Sequence, residues 1–150
     1  MMNDRGSTGL PTNDEWAMLG TLKAAAERMS GHTSIFHSVI AAVLTKDGTT
    51  HLGINLHHYT GGPCAELTAL ATARLQSNST PICVAAFSLI DRRLLAPCGK
   101  DRQIFIDYAP SIRVLIESRG EVRAYTPMEL TPHAERWVPE VGMVPLVSPS

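Results

Sequence analysis

Four side chains in this sequence combine residue types and spacings that could do chemistry: Cys64, Glu66, Cys98 and Asp101. Each cysteine follows a proline and heads a segment that reads as a helix, CAELTALATARL in one case and CGKDRQIFIDYA in the other. A helix N-terminus favours the thiolate, which is the form that binds metal. Asp101 stands three residues after Cys98, so both project from one helix face and one ion could touch both. If the two helix starts face each other, Cys64, Cys98 and Asp101 make three ligands, and a catalytic zinc needs three plus an open position. Glu66 lies two residues beyond Cys64 and cannot share its ligating face. From the first turn it can lean over the open position and carry protons. Cys83, inside the apolar run ICVAAF, reads as packing.

The elements that must hold these residues follow from pattern. Residues 1–12 are polar and form an expected flexible lead-in. Thr12, Asn13 and Asp14 can cap a first helix, with Trp16, Leu19, Leu22 and Ala26 at helical spacing and an end near Ser30-Gly31. SVIAAVLT and THLGINLHH flank Asp47-Gly48 and predict a hairpin. Ala65, Leu67, Leu70, Ala71 and Leu75 predict a second helix packed on a sheet. ICVAAFSLI reads as a buried central strand. RLLAP is a short strand leading into the third helix, which ends before Pro110. SIRVLIES, a turn at Arg119-Gly120 and EVRAY follow, then a short helix in TPMEL with Pro127 in its first turn. Residues 138–150 form a proline-containing tail. The order predicts a single α/β domain over 1–150, with a mixed sheet between layers of helices.

Composition bounds the function. Aromatic residues make up 5% of the chain, so aliphatic side chains must supply most of the core. Thirteen basic and 14 acidic residues give a net charge of -1, which offers no footprint for nucleic acid or an anionic membrane. No apolar run approaches the ~18 residues of a membrane span, and the N-terminus carries no export signal. Three cysteines without such a signal fit a reduced, cytoplasmic setting.

GINLHHYTGGPCAEL and LLAPCGKDRQIFIDYAPSIRVLI together resemble the cytidine deaminase superfamily, most closely blasticidin-S deaminases. The shared layout is a non-ligating Glu two residues after the first ligand, followed by a Pro-Cys segment. Tyr59-Thr60-Gly61-Gly62-Pro63 carries the likeness beyond that layout, and it runs from about Ser30 to Trp137. It implies a three-layer α/β/α sandwich with a mixed five-stranded sheet, a homotetramer, and release of ammonia from C4 of a cytosine ring. It also implies Zn2+ on Cys64 and Cys98, with Glu66 as proton shuttle. Substrate contacts would come from Asn55, which meets the sugar, and from His57, Tyr59 and Ala65. Arg102 would lie beside the sulfurs, and Trp137 would close the site from the C-terminal segment.

Two departures stand out. Asn55-Leu56-His57 replaces the Asn-x-Glu of ordinary cytidine deaminases, so a carboxylate that grips ribose is missing. His57 and His58, read as strand neighbours, should point to opposite faces, one toward the pocket. Asp101 replaces a cysteine at unchanged formal charge, and a carboxylate is an accepted zinc ligand. The expected activity is hydrolytic deamination of a cytosine nucleoside or nucleoside antibiotic. The alternatives are the same fold acting on a guanidine- or amidine-type substrate, and a metal-free binding protein.

Overall fold

Along the strand Val39–Thr45 (β1), Ile40, Ala42 and Leu44 face one side while Ala41 and Val43 face the other, and all five are buried. A strand buried on both faces must lie inside a covered sheet. The computed structural model describes residues 9–32, 34–140 and 142–145. Most of the expected lead-in and the end of the tail lie outside the described residues.

The first helix, α1 (Asn13–Arg28), starts on a capping box: Glu15 N–H donates to Thr12 Oγ1 at 3.2 Å, and Thr12 N–H donates back to Glu15 Oε2 at 2.8 Å. The strand β1 pairs antiparallel with β2 (Thr50–Ile54) across the Asp47-Gly48 turn, as the pattern predicts. Next come α2 (Ala65–Gln76), β3 (Pro81–Ser88), the two-residue β4 (Leu94–Leu95) and α3 (Gly99–Tyr108). β5 (Arg113–Ser118) and β6 (Glu121–Tyr125) form a hairpin whose turn residues Arg119 and Gly120 both have positive φ, 53° and 79°. That is the turn geometry whose twist matches antiparallel strands. The short α4 (Pro127–Leu130), β7 (Glu135–Val138) and β8 (Gly142–Pro145) complete the chain.

The sheet order is β2-β1-β3-β5-β6, with β4 attached to β3. β3 and β5 are parallel and every other pair is antiparallel, so the sheet is mixed. A parallel pair needs a crossover, and α3 provides it. Met18, Leu19 and Leu22 of α1 cover one face with Ile40, Leu44 and Phe87. Ala69, Leu70 and Phe105 from α2 and α3 cover the other with Val43, Val84 and Val114. Both candidate cysteine-bearing helices therefore lie on the same side of the sheet. Cys83 is fully buried on the α1 side, in the packing role read for it.

The helix faces differ from the pattern in two places. Trp16 is half-exposed, and Met18 and Ala25 take its place in the core. On α2 the buried stripe is Ala65, Glu66, Ala69, Leu70 and Ala73, whereas Ala71 is exposed and Leu75 is 88% exposed. Alanines make up most of the stripe, and at Ala69 α2 sits close on the sheet: a Cβ at Gly53 would fall 2.2 Å from the Ala69 nitrogen. The larger leucines instead line an open groove of about 600 Å³ between α2 and α3, with Arg74, Ile104 and Tyr108. The tail also gains order not visible in its sequence, since β7 and β8 pair as a separate ribbon.

A buried ion pair ties α1 to the sheet. Arg113 Nε donates to Glu15 Oε1 at 2.7 Å, and its Nη2 donates to Leu10 O at 3.1 Å. Glu15 is 3% exposed, so Arg113→Ala would leave a buried carboxylate without its main partner. The expected loss in denaturant unfolding is about 3–5 kcal/mol. A loss below ~1 kcal/mol would mean that the pair is solvated and structurally idle.

Candidate metal centre and proton shuttle

Two strand-to-helix junctions converge here. Cys64 is the N-cap residue of α2 and Cys98 the N-cap residue of α3, and neither side chain caps its own helix. The sulfurs lie 3.7 Å apart. The Asp101 carboxylate, one turn into α3, completes a cluster whose ligand atoms all lie within 4.8 Å of one another. Asp101 is fully buried, and neither of its oxygens has a hydrogen-bond partner among the described residues.

A buried carboxylate left unpaired costs several kcal/mol, so the arrangement calls for a cation. Zn–S bonds of about 2.3 Å that open at about 110° would hold two sulfurs about 3.8 Å apart. The observed spacing matches, and two thiols with one carboxylate are an ordinary zinc donor set. The residues fit the ion.

Glu66 sits in the first turn of α2 and is 6% exposed. Burial pushes its carboxyl up to about 7, with the neighbouring Asp101 charge adding to the effect and Glu66's own backbone N–H opposing it. Burial, then the Asp101 charge, pushes the Cys64 thiol up to about 12. These directions belong to a cluster of acids without a counter-charge, and a divalent ion reverses them. For chelated protein the sign follows. Glu66 binds its proton more tightly folded than unfolded, so metal-free stability should be highest below about pH 4.5 to 5 as far as this group is concerned. It should fall by roughly 1–3 kcal/mol as pH rises toward 7. Melting of chelated wild type and Glu66→Gln across that window checks this; equal slopes would assign the dependence elsewhere.

The loop before α2 is shaped by close approach. A Cβ at Gly62 would fall 1.5 Å from Leu56 O, so only glycine lets residues 56 and 62 pass there. Leu56 N–H donates to Pro63 O at 3.1 Å, closing the loop just before Cys64, and Lys100 Nζ reaches Gly62 O at 3.5 Å. Pro97 is buried, and Arg102 Nε donates to its carbonyl at 2.8 Å while Nη1 donates to Leu130 O at 2.9 Å. Arg102 thus fixes the segment that delivers Cys98, its guanidinium donating to these two carbonyls.

Cys64, Cys98, Asp101 and Glu66 are brought together, with Ala65 buried between Cys64 and Glu66 at the start of α2. Asn55 directly follows β2, where its Oδ1 accepts from Ser38 N–H at 2.8 Å and Val39 N–H at 3.0 Å, and its Nδ2 donates to Ser38 Oγ at 3.3 Å. His57 and His58 do not lie on a strand. β2 stops at Ile54, because beyond it Leu56 turns to Pro63 and His57 N–H donates to Phe36 O. Both histidines are exposed; His58 Nδ1 meets Thr60 Oγ1 at 2.5 Å and its ring leans on Tyr59, which is 92% exposed. Trp137, on β7, is half-exposed, and its N–H donates to Asp107 Oδ1 at 2.6 Å. Gln103 Nε2 donates to Glu135 O at 2.8 Å. These two α3 side chains dock the C-terminal segment and were missed from sequence, where their only signal is a polar pair four residues apart.

No protein-family model matches the chain. Over 105 residues it is 33% identical to the blasticidin-S deaminase of Bacillus cereus, covering 64% of this chain and 75% of that one. Among solved structures, the cytidine deaminase of Bacillus anthracis aligns with a TM-score of 0.64 at 18% identity, over 81% of this chain and 89% of that chain. The Burkholderia pseudomallei cytidine deaminase gives 0.59 at 28% identity, over 77% and 97%. The Mycobacterium leprae cytidine deaminase gives 0.62 at 21% identity, over 81% and 99%.

Proposed function

This chain belongs to the cytidine deaminase superfamily, and from that premise we propose that it is a zinc-dependent hydrolytic deaminase of a cytosine nucleoside or a cytosine nucleoside antibiotic of the blasticidin S type. The observation that carries the reading is the buried Asp101 carboxylate, without a hydrogen-bond donor among the described residues, beside two sulfurs 3.7 Å apart, with the Glu66 carboxyl next to it.

Cys64, Cys98 and Asp101 would hold the zinc. Bound there, zinc supplies the Lewis acidity that makes a water nucleophilic near neutral pH. Glu66 takes a proton from the water that adds to C4 and delivers it to the ring nitrogen. It then carries the second proton to the departing amine, so the C4–N bond breaks and ammonia leaves. Glu66 suits this work because it is a buried carboxyl held beside the ligand cluster that supplies none of the ligand atoms.

Around the reacting ring, Asn55 meets the sugar through Nδ2, whose bond to Ser38 is long, while Oδ1 stays on the backbone. His57, Tyr59 and Ala65 line the approach, and Trp137 closes it from the segment docked on α3. The apolar groove on α2 and α3 supports burial against other subunits, and we assign the enzyme as a cytoplasmic homotetramer. Among the described residues no helix is long and apolar enough to cross a membrane.

Ammonia release from cytidine, deoxycytidine, blasticidin S and guanidine compounds tests the function. Turnover of a cytosine compound supports it. Release from the guanidines alone would move the enzyme to another substrate class.

A further inference from the structure

Asp101 differs from an ordinary carboxylate ligand in one respect: nothing secures its second oxygen. A metal-binding carboxylate normally gives one oxygen to the ion and holds the other on a hydrogen-bond donor. Here both oxygens are buried and neither has a donor among the described residues. The guanidinium of Arg102, one residue away, is engaged with the Pro97 and Leu130 carbonyls. Glu66 lies beside Asp101 as another carboxyl and has no side-chain N–H to offer. An ion bound through one oxygen would leave the other as a buried, unpaired acceptor, which costs about 1–3 kcal/mol or more for a charged group.

Resting on the metal centre proposed above, we infer that Asp101 grips the ion through both oxygens. The protein then offers four donor atoms from three residues, two sulfurs and two oxygens, and a fifth position stays open for substrate or water. The chelating carboxylate is hard where a third sulfur would be soft. The site therefore discriminates less against cobalt(II), iron(II) and manganese(II), and favours cadmium over zinc less, than a site with three sulfurs.

Cobalt(II) titration of the metal-free full chain reads this directly. Thiolate-to-cobalt charge-transfer absorption reports sulfur ligation, and the visible d–d bands are several-fold stronger for four-coordinate than for five-coordinate cobalt. Wild type should show charge transfer with weak d–d bands, and Asp101→Cys should show strong ones. The preference for cadmium over zinc should rise on the order of tenfold in Asp101→Cys. X-ray absorption of zinc-loaded wild type, which needs no variant, should count two sulfurs and three light atoms, two from the carboxylate and one at the open position, a total of five. Strong four-coordinate bands in wild type, with a total of four scatterers, would overturn the two-oxygen grip and leave the metal centre standing. Absence of charge transfer in wild type would overturn the metal centre itself, and the grip with it.

Discussion

Glu66→Gln should yield a folded, zinc-binding protein that no longer turns over. Glu66 supplies none of the ligand atoms in the Cys64–Cys98–Asp101 cluster, so exchanging its carboxyl for an amide leaves the donor set intact. The amide is close in shape and suits a site already 6% exposed, so packing should hold. What disappears is the group that gains and loses protons. One acid–base group typically contributes ~10²–10⁴-fold, and Glu66 serves more than one transfer, so the loss in kcat should exceed that range. Zinc analysis and ammonia release on the same preparation check it. A near-native rate would remove Glu66 from the mechanism.

Asp101→Ala should do the reverse, losing the metal while improving the metal-free protein. Removing one of three ligands should weaken zinc by more than the ~10–100-fold typical of outer-sphere changes, and activity should fall with occupancy. The same substitution deletes a buried carboxylate that has no hydrogen-bond donor among the described residues. Chelated Asp101→Ala should therefore melt no lower than chelated wild type, and by the unpaired-acceptor argument somewhat higher. Asp101→Cys restores a third sulfur at equal formal charge and should hold zinc at least as tightly as wild type. Full zinc content with normal activity in Asp101→Ala would leave Asp101 as a helix N-terminal charge and nothing more.

Much of this was legible in the residues because short-range rules govern it. The continuous apolar run ICVAAFSLI marks the buried strand β3, and Asp47-Gly48 and Arg119-Gly120 mark turns that hold. Pro63-Cys64 and Pro97-Cys98 announce helix starts because each proline stands just outside a helix and each cysteine then falls at its N-cap. The convergence of those two helix ends was legible only as a condition, since it depends on both helices covering one face of the sheet.

What escaped depends on tertiary contact. Leu75 looks like core by hydropathy but faces out, because α2 buries the stripe of Ala65, Glu66, Ala69, Leu70 and Ala73, with Ala69 passing close over Gly53. The His57-His58 pair reads as strand, yet the loop closed by Leu56 and Pro63 pulls it out of the ladder. Asn55, singled out for a sugar, also secures the start of β1 through backbone N–H groups seventeen and sixteen residues away in sequence. The ribbon of β7 and β8 is held by Gln103 and Asp107 of α3, and no local pattern near Trp137 records those partners.

The most direct measurement is ammonia release from blasticidin S and cytidine by chelated protein, before and after addition of zinc in steps up to one equivalent per chain. The account predicts no release from the chelated protein and recovery that saturates at one equivalent. Release that survives chelation, or that stays absent when zinc is bound at one equivalent, would contradict it.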